Sequence, residues 1–314
     1  MKISKESFGR FTEYVLSNST TGESVSLLPA FGGIIRKMIL KKADNLYNVI
    51  ACAESDEQLV KEMAAYPSAH LFPWGNRVRD GKYTFEGTDY QLPINEVPLN
   101  NAIHGFVAFA DFEVVEEKVT ENTASLTLRY DYKGNHFGFP FPFVLEITNI
   151  LSAECGFTLV YSIKNTGNTS MPIVLGWHPY FKIEGETVKD WTVDFPATKQ
   201  SIPDKQMISV DTKTIDFSGA VALATQNLDA VFAVETKERV TTILHSIPKD
   251  LSINVWQEAL EKQFNFTVVY IPSSRDCVAI EPMTGNTNAY NSGDGLLTLA
   301  AGESYSLSCG VFLS

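Results

Sequence analysis

Residues 124–132 read ASLTLRYDY, with an apolar side chain at every second position. Alternation with a period of two is typical of a β-strand that has one buried face. The same kind of pattern recurs in roughly fifteen segments along the chain, and turn signals such as EGTD, KNTGNTS and NSGDG separate them. Many strands with little helix predict an all-β protein, either a sandwich or a barrel.

Two local elements are also predicted. A short helix is expected in ESDEQLVKEMAAY, residues 54–66, where acidic residues begin the segment and Pro67 ends it. A hairpin is expected in KYTFEGTDYQLPIN, residues 82–95, with Gly87 in its turn. Since no internal repeat or low-complexity linker is visible, we expect one domain over residues 1–314.

Charge and hydropathy limit the possible partners. The chain carries a net charge of −12 with only 25 Lys and Arg residues, which argues against a nucleic-acid partner because phosphate binding needs clustered cations. No signal-peptide pattern and no long apolar run is present, so we expect a cytoplasmic protein that does not enter a membrane. The sequence leaves open whether the protein is a monomer or a homodimer.

The four cysteines predict no special chemistry. Cys52, Cys155, Cys277 and Cys309 lie far apart in the sequence, and none is within metal-ligand spacing of another. We expect buried free thiols, no disulfide framework and no metal site.

The segment GWHPYF, residues 176–181, places a histidine in a strand-like apolar run and a proline directly after it. His178 falls on the same face as Gly176, whose missing side chain could leave space for a ligand or for neighbouring backbone. A buried histidine needs partners for its ring nitrogens. His178 is therefore either a structural histidine or an acid–base group whose side chain points out of the sheet towards a ligand.

Glu281 raises the same question in DCVAIEPMTG, residues 276–285, because a carboxylate and Pro282 end an apolar run. It is either a solvent-exposed residue at a strand end or a buried group with a shifted pKa. Together with His178 it could form an acid–base pair, and no motif of a hydrolase triad, a P-loop or a zinc protease is present. The pair therefore favours chemistry that needs proton transfer alone.

Three further residues could bind a polar ligand. Arg77 offers a planar fork of donors, His104 precedes a turn glycine, and Asp229 precedes a strand. Each also has an ordinary structural explanation as a surface ion pair, a turn former or a strand cap. A tryptophan could stack on a sugar face, and we expect two of the three candidates to be packing residues: Trp74, Trp177 and Trp256.

These residues lie in blocks that resemble the aldose 1-epimerase family, which includes the galactose mutarotases. The resemblance covers most of the chain, about residues 24 to 312, and rests on four blocks in the family's order: FPWGNRVRDGKYTFEGTDYQLPINEVPLNNAIHGF, MPIVLGWHPYF, NLDAVF and AIEPMTGNTNAYNSGDGLLTLAAGESYSL. The segments EPMTG and PWGNRVRDG depart from the best-known galactose mutarotases, which leaves the preference for galactose open.

The resemblance implies a large antiparallel β-sandwich that works without a cofactor. It implies that Glu281 is the general base for the anomeric hydroxyl and that His178 is the general acid for the ring oxygen. Arg77, His104 and Asp229 would hold sugar hydroxyls. The expected substrate is a small-molecule aldose.

Three other functions remain open at this point. A hexose-6-phosphate 1-epimerase would need several cations that converge on the sugar site. A non-catalytic carbohydrate-binding protein would not need an acid–base pair. A glycoside hydrolase would use two carboxylates, for which Asp229 and Glu281 are the candidates.

Overall fold

The structure is a computed structural model that describes residues 1–215 and 219–314. The first half of the chain contains the strands β1 Lys2–Phe8, β2 Phe11–Ser17, β3 Ser24–Leu28, β4 Ile34–Lys42, β5 Asn45–Asn48, β6 Ala69–Leu71, β7 Arg77–Arg79, β8 Lys82–Phe85, β9 Thr88–Gln91, β10 Asn101–Ile103, β11 Glu113–Val119, β12 Thr123–Tyr132, β13 Phe143–Ser152 and β14 Gly156–Asn165. The second half contains β15 Met171–Ile173, β16 Gly176–His178, β17 Tyr180–Phe181, β18 Trp191–Asp194, β19 Ala197–Pro203, β20 Ser209–Thr214, β21 Val221–Ala222, β22 Asp229–Val234, β23 Lys237–Ser246, β24 Leu251–Ala259, β25 Phe266–Tyr270, β26 Val278–Met283, β27 Leu297–Leu299 and β28 Ser304–Leu313.

Helices are short. The predicted helix in residues 54–66 is present as α1 Asp56–Lys61, followed by a 3₁₀ turn at Met63–Ala65. The Ser55 side chain caps α1 by accepting a hydrogen bond from the Gln58 amide. A second helix, α2, spans Ala289–Ser292, and further 3₁₀ turns occur at Val97–Leu99, Val107–Phe109, Val188–Asp190 and Leu223–Thr225. Within the described residues, no helix is both long enough and apolar enough to cross a membrane. The cytoplasmic location stays a prediction, as does the single domain over residues 1–314.

Most strands belong to three antiparallel sheets. A nine-stranded sheet has the order β11-β12-β13-β14-β28-β24-β23-β18-β21, and a five-stranded sheet has the order β1-β2-β3-β4-β5. An eight-stranded sheet has the order β20-β19-β22-β25-β26-β16-β6, with β17 also paired to β26. The predicted hairpin of residues 82–95 forms as β8 and β9. The prediction of an all-β, large antiparallel β-sandwich is confirmed.

The nine-stranded and eight-stranded sheets pack face to face. Phe157 in β14 contacts Trp177 in β16, with ring centroids 6.4 Å apart. Gln257 in β24 accepts a hydrogen bond of 2.7 Å from Thr267 in β25. One face of the eight-stranded sheet therefore lines the main core, and its other face is available for a site.

The segment 171–181 is less regular than its sequence suggests. Within it, MPIVLGW, residues 171–177, is predicted as one strand, but the chain leaves its pairing with β27 after Ile173 and joins the eight-stranded sheet only at Gly176. A Cβ atom at Gly176 would lie 2.1 Å from the sulfur of Met283, so this glycine makes room for the core side chain of Met283 rather than for a ligand. Pro179 ends β16 as expected, whereas Pro282 lies inside β26.

Two of the four cysteines differ from their prediction. All four are free thiols, and Cys277 and Cys309 are buried as expected. Cys52 is only partly buried, and Cys155 is exposed.

Candidate active site

The register of the eight-stranded sheet brings His178 and Glu281 together. Gly176 lies opposite Met283, and Tyr180 lies opposite Ala279, so the same antiparallel register sets His178 opposite Glu281. Residues directly opposite each other in antiparallel strands share a face of the sheet. The two side chains therefore point to the same side, away from the core that contains Trp177.

The two side chains are in contact. His178 Nε2 lies 3.3 Å from Glu281 Oε1, and both residues are almost completely buried. His178 Nδ1 and Glu281 Oε2 are buried without a hydrogen-bond partner in the described residues. Buried polar atoms of this kind are costly unless a ligand or water satisfies them, so they indicate a binding site.

Burial shifts the pKa values of His178 and Glu281 so that the neutral form of each side chain is favoured. It lowers the pKa of His178 to about 4. Burial, reinforced by the charge of Asp229 and opposed by that of Arg77, raises the pKa of Glu281 well above its usual range. The contact between the two groups favours instead the charged form of each, since imidazolium and carboxylate attract each other. Whichever of these two effects is larger, the pair holds one proton near neutral pH. The two cases differ only in whether His178 or Glu281 carries that proton.

Asp229 reaches the same face of the sheet from two strands away. It lies opposite Tyr270, which in turn lies opposite Ala279. Burial raises the pKa of Asp229, while the Arg77 charge lowers it and the Glu96 charge raises it. Three carboxylates and one guanidinium therefore influence one another across this face.

Arg77 and His104 come from a short antiparallel pair beside the sheet. Arg77 in β7 lies opposite Ile103 in β10, and His104 follows directly. The His104 backbone has a left-handed conformation with φ of 64°, and its amide donates to the Asn76 carbonyl at 3.0 Å. Such a conformation costs energy in a residue other than glycine and is often retained at functional sites. Gly105 is required next, because a Cβ atom there would lie 2.0 Å from the Phe72 carbonyl oxygen.

His104 also packs against other rings of the site. Its ring lies edge-on to those of His178 and Tyr66, with centroid distances of 5.3 Å and 4.6 Å. Burial, with smaller contributions from His178 and Arg77, lowers the pKa of His104 well below its usual range. The His104 Nδ1 atom is another buried polar atom without a partner in the described residues. A neutral His104 can donate one hydrogen bond to a hydroxyl group and accept one.

A cleft of about 400 Å³ connects these groups, which we call the His–Glu cleft. Its lining includes all five residues proposed from the sequence, Arg77, His104, His178, Asp229 and Glu281, together with Ala64, Ala65, Tyr66, Asn76, Asn95, Glu96, Pro98, Ile103, Tyr180, Val268 and Tyr270. The volume is in the range of small-molecule sites. The structure thus brings the five candidates together, while their individual roles stay proposals.

The aromatic residues of the cleft differ from those considered in the sequence. Trp74, Trp177 and Trp256 are buried and are absent from the cleft lining. Trp74 and Trp177 pack in the main core, whereas Trp256 lines a separate surface cleft, where the Arg239 guanidinium lies 3.9 Å from its ring centroid. Tyr66, Tyr180 and Tyr270 line it instead, and the Tyr180 hydroxyl donates to the Ala65 carbonyl at 3.1 Å. No local sequence pattern pointed to Tyr66, which ends a 3₁₀ turn in a left-handed conformation.

No cluster of metal-binding side chains accompanies the cleft. Within residues 1–215 and 219–314, no group of three or more His, Cys, Asp or Glu side chains is arranged to hold a metal ion. The absence of a metal or cofactor from the reaction stays a prediction.

The family model described as aldose 1-epimerase matches residues 13–311 of the chain. The chain belongs to the aldose 1-epimerase family. It is therefore an isomerase, a mutarotase-like sugar epimerase. The family resemblance of the four sequence blocks is confirmed.

Known relatives are distant in sequence and similar in fold. The chain is 31% identical to the uncharacterized protein YihR of Escherichia coli K12 over 252 residues, which are 77% of this chain and 78% of YihR. It is 28% identical to the galactose mutarotase of Rattus norvegicus over 142 residues, 45% of this chain and 39% of that protein. A galactose mutarotase-like protein from Clostridium acetobutylicum superposes with a TM-score of 0.89 at 20% identity, over 100% of this chain and 98% of the other. The galactose 1-epimerase of Lactobacillus acidophilus gives 0.80 at 17% identity, over 100% and 98%.

Proposed function

We propose that this protein interconverts the α and β anomers of a free, uncharged hexose by general acid–base catalysis. The observation that carries the proposal is the contact of 3.3 Å between His178 and Glu281 at the base of the His–Glu cleft. In a pyranose, the anomeric hydroxyl and the ring oxygen are bonded to the same carbon. Two groups that serve both oxygens must therefore lie close together, as this imidazole and carboxylate do.

The proton count of the pair suits a reversible reaction. In ring opening, the Glu281 carboxylate removes the proton of the anomeric hydroxyl, and protonated His178 gives a proton to the ring oxygen while its bond to the anomeric carbon breaks. The open-chain aldehyde then lies beside neutral His178 and protonated Glu281. After rotation about the bond to the aldehyde carbon, Glu281 returns its proton to the aldehyde oxygen and His178 takes one from the hydroxyl that closes the ring.

Both proton arrangements of the pair are thus used in one turnover. Burial favours the arrangement with neutral groups, and the direct contact favours the charged one. Because these two effects oppose each other, the pair can exchange protons with the sugar both in ring opening and in ring closure.

Arg77, His104 and Asp229 would hold the sugar hydroxyls. Nε and Nη2 of Arg77 are bound by Glu96, and none of the described residues accepts a hydrogen bond from Nη1. Nη1 and His104 Nδ1 therefore offer hydrogen bonds to hydroxyl groups, and Asp229 can accept from them. A hydroxyl-rich ligand would also satisfy the buried polar atoms of the catalytic pair.

The charges of the cleft favour an uncharged sugar over a sugar phosphate. Arg77 is the single Lys or Arg among the described lining residues, and it is already paired with Glu96. The side chain of Arg79 turns away and pairs with Asp204. Recognition of a phosphate ester would need cations that are not already neutralised.

Polarimetry tests the proposal. Freshly dissolved α-glucose and α-galactose should reach the equilibrium rotation much faster with the protein than without it, and glucose 6-phosphate should respond less. A protein that binds these sugars but leaves the spontaneous rate unchanged would be a binding protein, and the proposal would be wrong.

A further inference from the structure

Glu96 forms a bidentate ion pair with Arg77 inside the His–Glu cleft. Its carboxylate accepts hydrogen bonds of 3.0 Å from Arg77 Nε and 2.8 Å from Nη2. The side chains are only 14% and 17% exposed, for Arg77 and Glu96 respectively, so solvent screens the pair weakly. Both residues line the cleft, and the pair is therefore part of the surface that a substrate meets.

Glu96 is held in place independently of Arg77. The buried Asn101 side chain donates to the Glu96 carboxylate at 2.9 Å, and the backbones of the two residues exchange hydrogen bonds of 3.1 Å and 3.2 Å. The Asn101 amide group also donates to the Gln206 carbonyl at 3.0 Å. The carboxylate is thus fixed before a substrate arrives, and it dictates where the guanidinium of Arg77 can lie.

The pair also sets the charge that a substrate meets. Without Glu96, Arg77 would present an uncompensated positive charge beside the hydroxyl-binding groups. With Glu96, the same arginine presents donors but little net charge. Asp229 and Glu281, on the neighbouring sheet, then leave the cleft neutral to acidic.

We infer that Glu96 is a positioning residue that fixes Arg77 and, by compensating its charge, makes the cleft select uncharged aldoses against anionic sugars. The inference rests on the proposed function and names the residue that sets its substrate class. Arg77 acts on the sugar directly, and Glu96 acts through Arg77.

Two substitutions separate charge from position. Glu96→Gln keeps the size and the acceptor oxygen but removes the charge, so the ratio of kcat/KM for glucose 6-phosphate to kcat/KM for glucose should rise by about tenfold. Glu96→Asp keeps the charge and shortens the side chain, so KM for glucose should rise while the ratio stays at the wild-type value. Where turnover of one sugar is too slow to measure, the ratio of the two Kd values from calorimetry replaces it.

The ion pair between Asp204 and Arg79 provides a matched control, because Arg79 lies two residues after Arg77 in the sequence. Asp204 pairs with Arg79 at 2.7 Å, and neither residue lines the His–Glu cleft. Asp204→Asn removes one carboxylate charge from an arginine pair of the same segment, and it should leave the ratio unchanged. An equal rise in Asp204→Asn and Glu96→Gln would mean that overall charge sets the preference, and it would overturn the inference.

A measurement on the wild type keeps the inference testable if Glu96→Gln does not fold. With Arg77 compensated, kcat/KM or Kd for glucose 6-phosphate should be unchanged or improve as ionic strength rises; a steep weakening would reveal an uncompensated cation and contradict the inference. A wild type that accelerates anomer exchange of no aldose would refute the proposed function. An active wild type with an unchanged ratio in Glu96→Gln would refute the role of Glu96 alone.

Discussion

His70 and His178 lie on neighbouring strands of one sheet and face opposite sides of it. His70 in β6 is opposite Trp177 and shares its core face, whereas His178 in β16 is opposite Ala69 and faces the His–Glu cleft. Both are buried, and burial lowers the pKa of each to about 4. By burial and pKa alone, the two histidines cannot be told apart.

Their partners distinguish them. His70 Nδ1 lies 2.7 Å from the Tyr161 hydroxyl and its Nε2 lies 3.3 Å from the Gly33 carbonyl, so both ring nitrogens have structural partners. His178 contacts a titratable carboxylate with one nitrogen and has no partner for the other among the described residues. A satisfied histidine stabilises a core, and an unsatisfied one beside an ionisable group is suited to proton transfer.

The largest effect is expected for Glu281→Gln, on the cleft face. It removes the proposed general base and should reduce enzyme-dependent anomer exchange by about 10²- to 10⁴-fold. Because Glu281 is almost fully buried and its pKa is raised by burial, the neutral amide should unfold at the same temperature as the wild type or higher. Polarimetry measures the activity, and thermal unfolding measures the stability. Full activity of Glu281→Gln would contradict the proposed role of Glu281 as the general base.

His70, on the core face of the sheet, should make the free energy of unfolding depend on pH. The pKa of His70 is about 4 in the folded protein and near 6.5 when unfolded, so the unfolded state binds more protons between these values. The contribution of His70 to stability is fully present above pH 6.5 and is lost as pH falls towards 4, and the total loss over this range is roughly 3 kcal/mol.

Urea unfolding of the wild type and of His70→Leu across this pH range measures that contribution. The free energy of unfolding of the variant should fall less steeply on acidification than that of the wild type. Parallel curves for the two proteins would show that His70 is not held neutral by its core environment.

The smallest effect is expected in the pH–rate profile. The active pair holds one proton, so on the acid side activity should fall about tenfold per pH unit where a second proton binds, near pH 4, because burial lowers the pKa of His178 to about 4. Initial rates of anomer exchange from pH 3.5 to 8 measure this limb. A limb near pH 6.5 would indicate a histidine in water rather than the buried one described here.

The sequence was sufficient to predict strands and to single out residues, but not to predict register. Alternation identified the strands, and the unusual positions of His178 and Glu281 in apolar runs marked them as candidates. That these two lie directly opposite each other depends on pairing between β16 and β26, about a hundred residues apart, which no local pattern encodes. The break of the strand after Ile173 was missed for the same reason, since it is set by partner strands.

Glu96 was missed because its segment, NEVPLNN, looks like an ordinary polar loop. Its importance comes from a reciprocal backbone pair with Asn101 and from the nearby Arg77, and both depend on the path of the loop. The sequence could not assign each tryptophan to one role, because a large aromatic residue suits a sugar site and a protein core equally well. Burial in the folded chain, rather than residue type, decides between the two.

The most direct test compares His178→Asn with His70→Leu in one exchange experiment, in which NMR magnetisation transfer between the α and β anomers of glucose reports the rate at equilibrium. The protein-dependent exchange should fall by about 10²-fold or more in His178→Asn. In His70→Leu, assayed under conditions in which it is folded, exchange should stay close to the wild-type rate. Equal exchange in the two variants would contradict the assignment of proton transfer to the cleft face of the sheet.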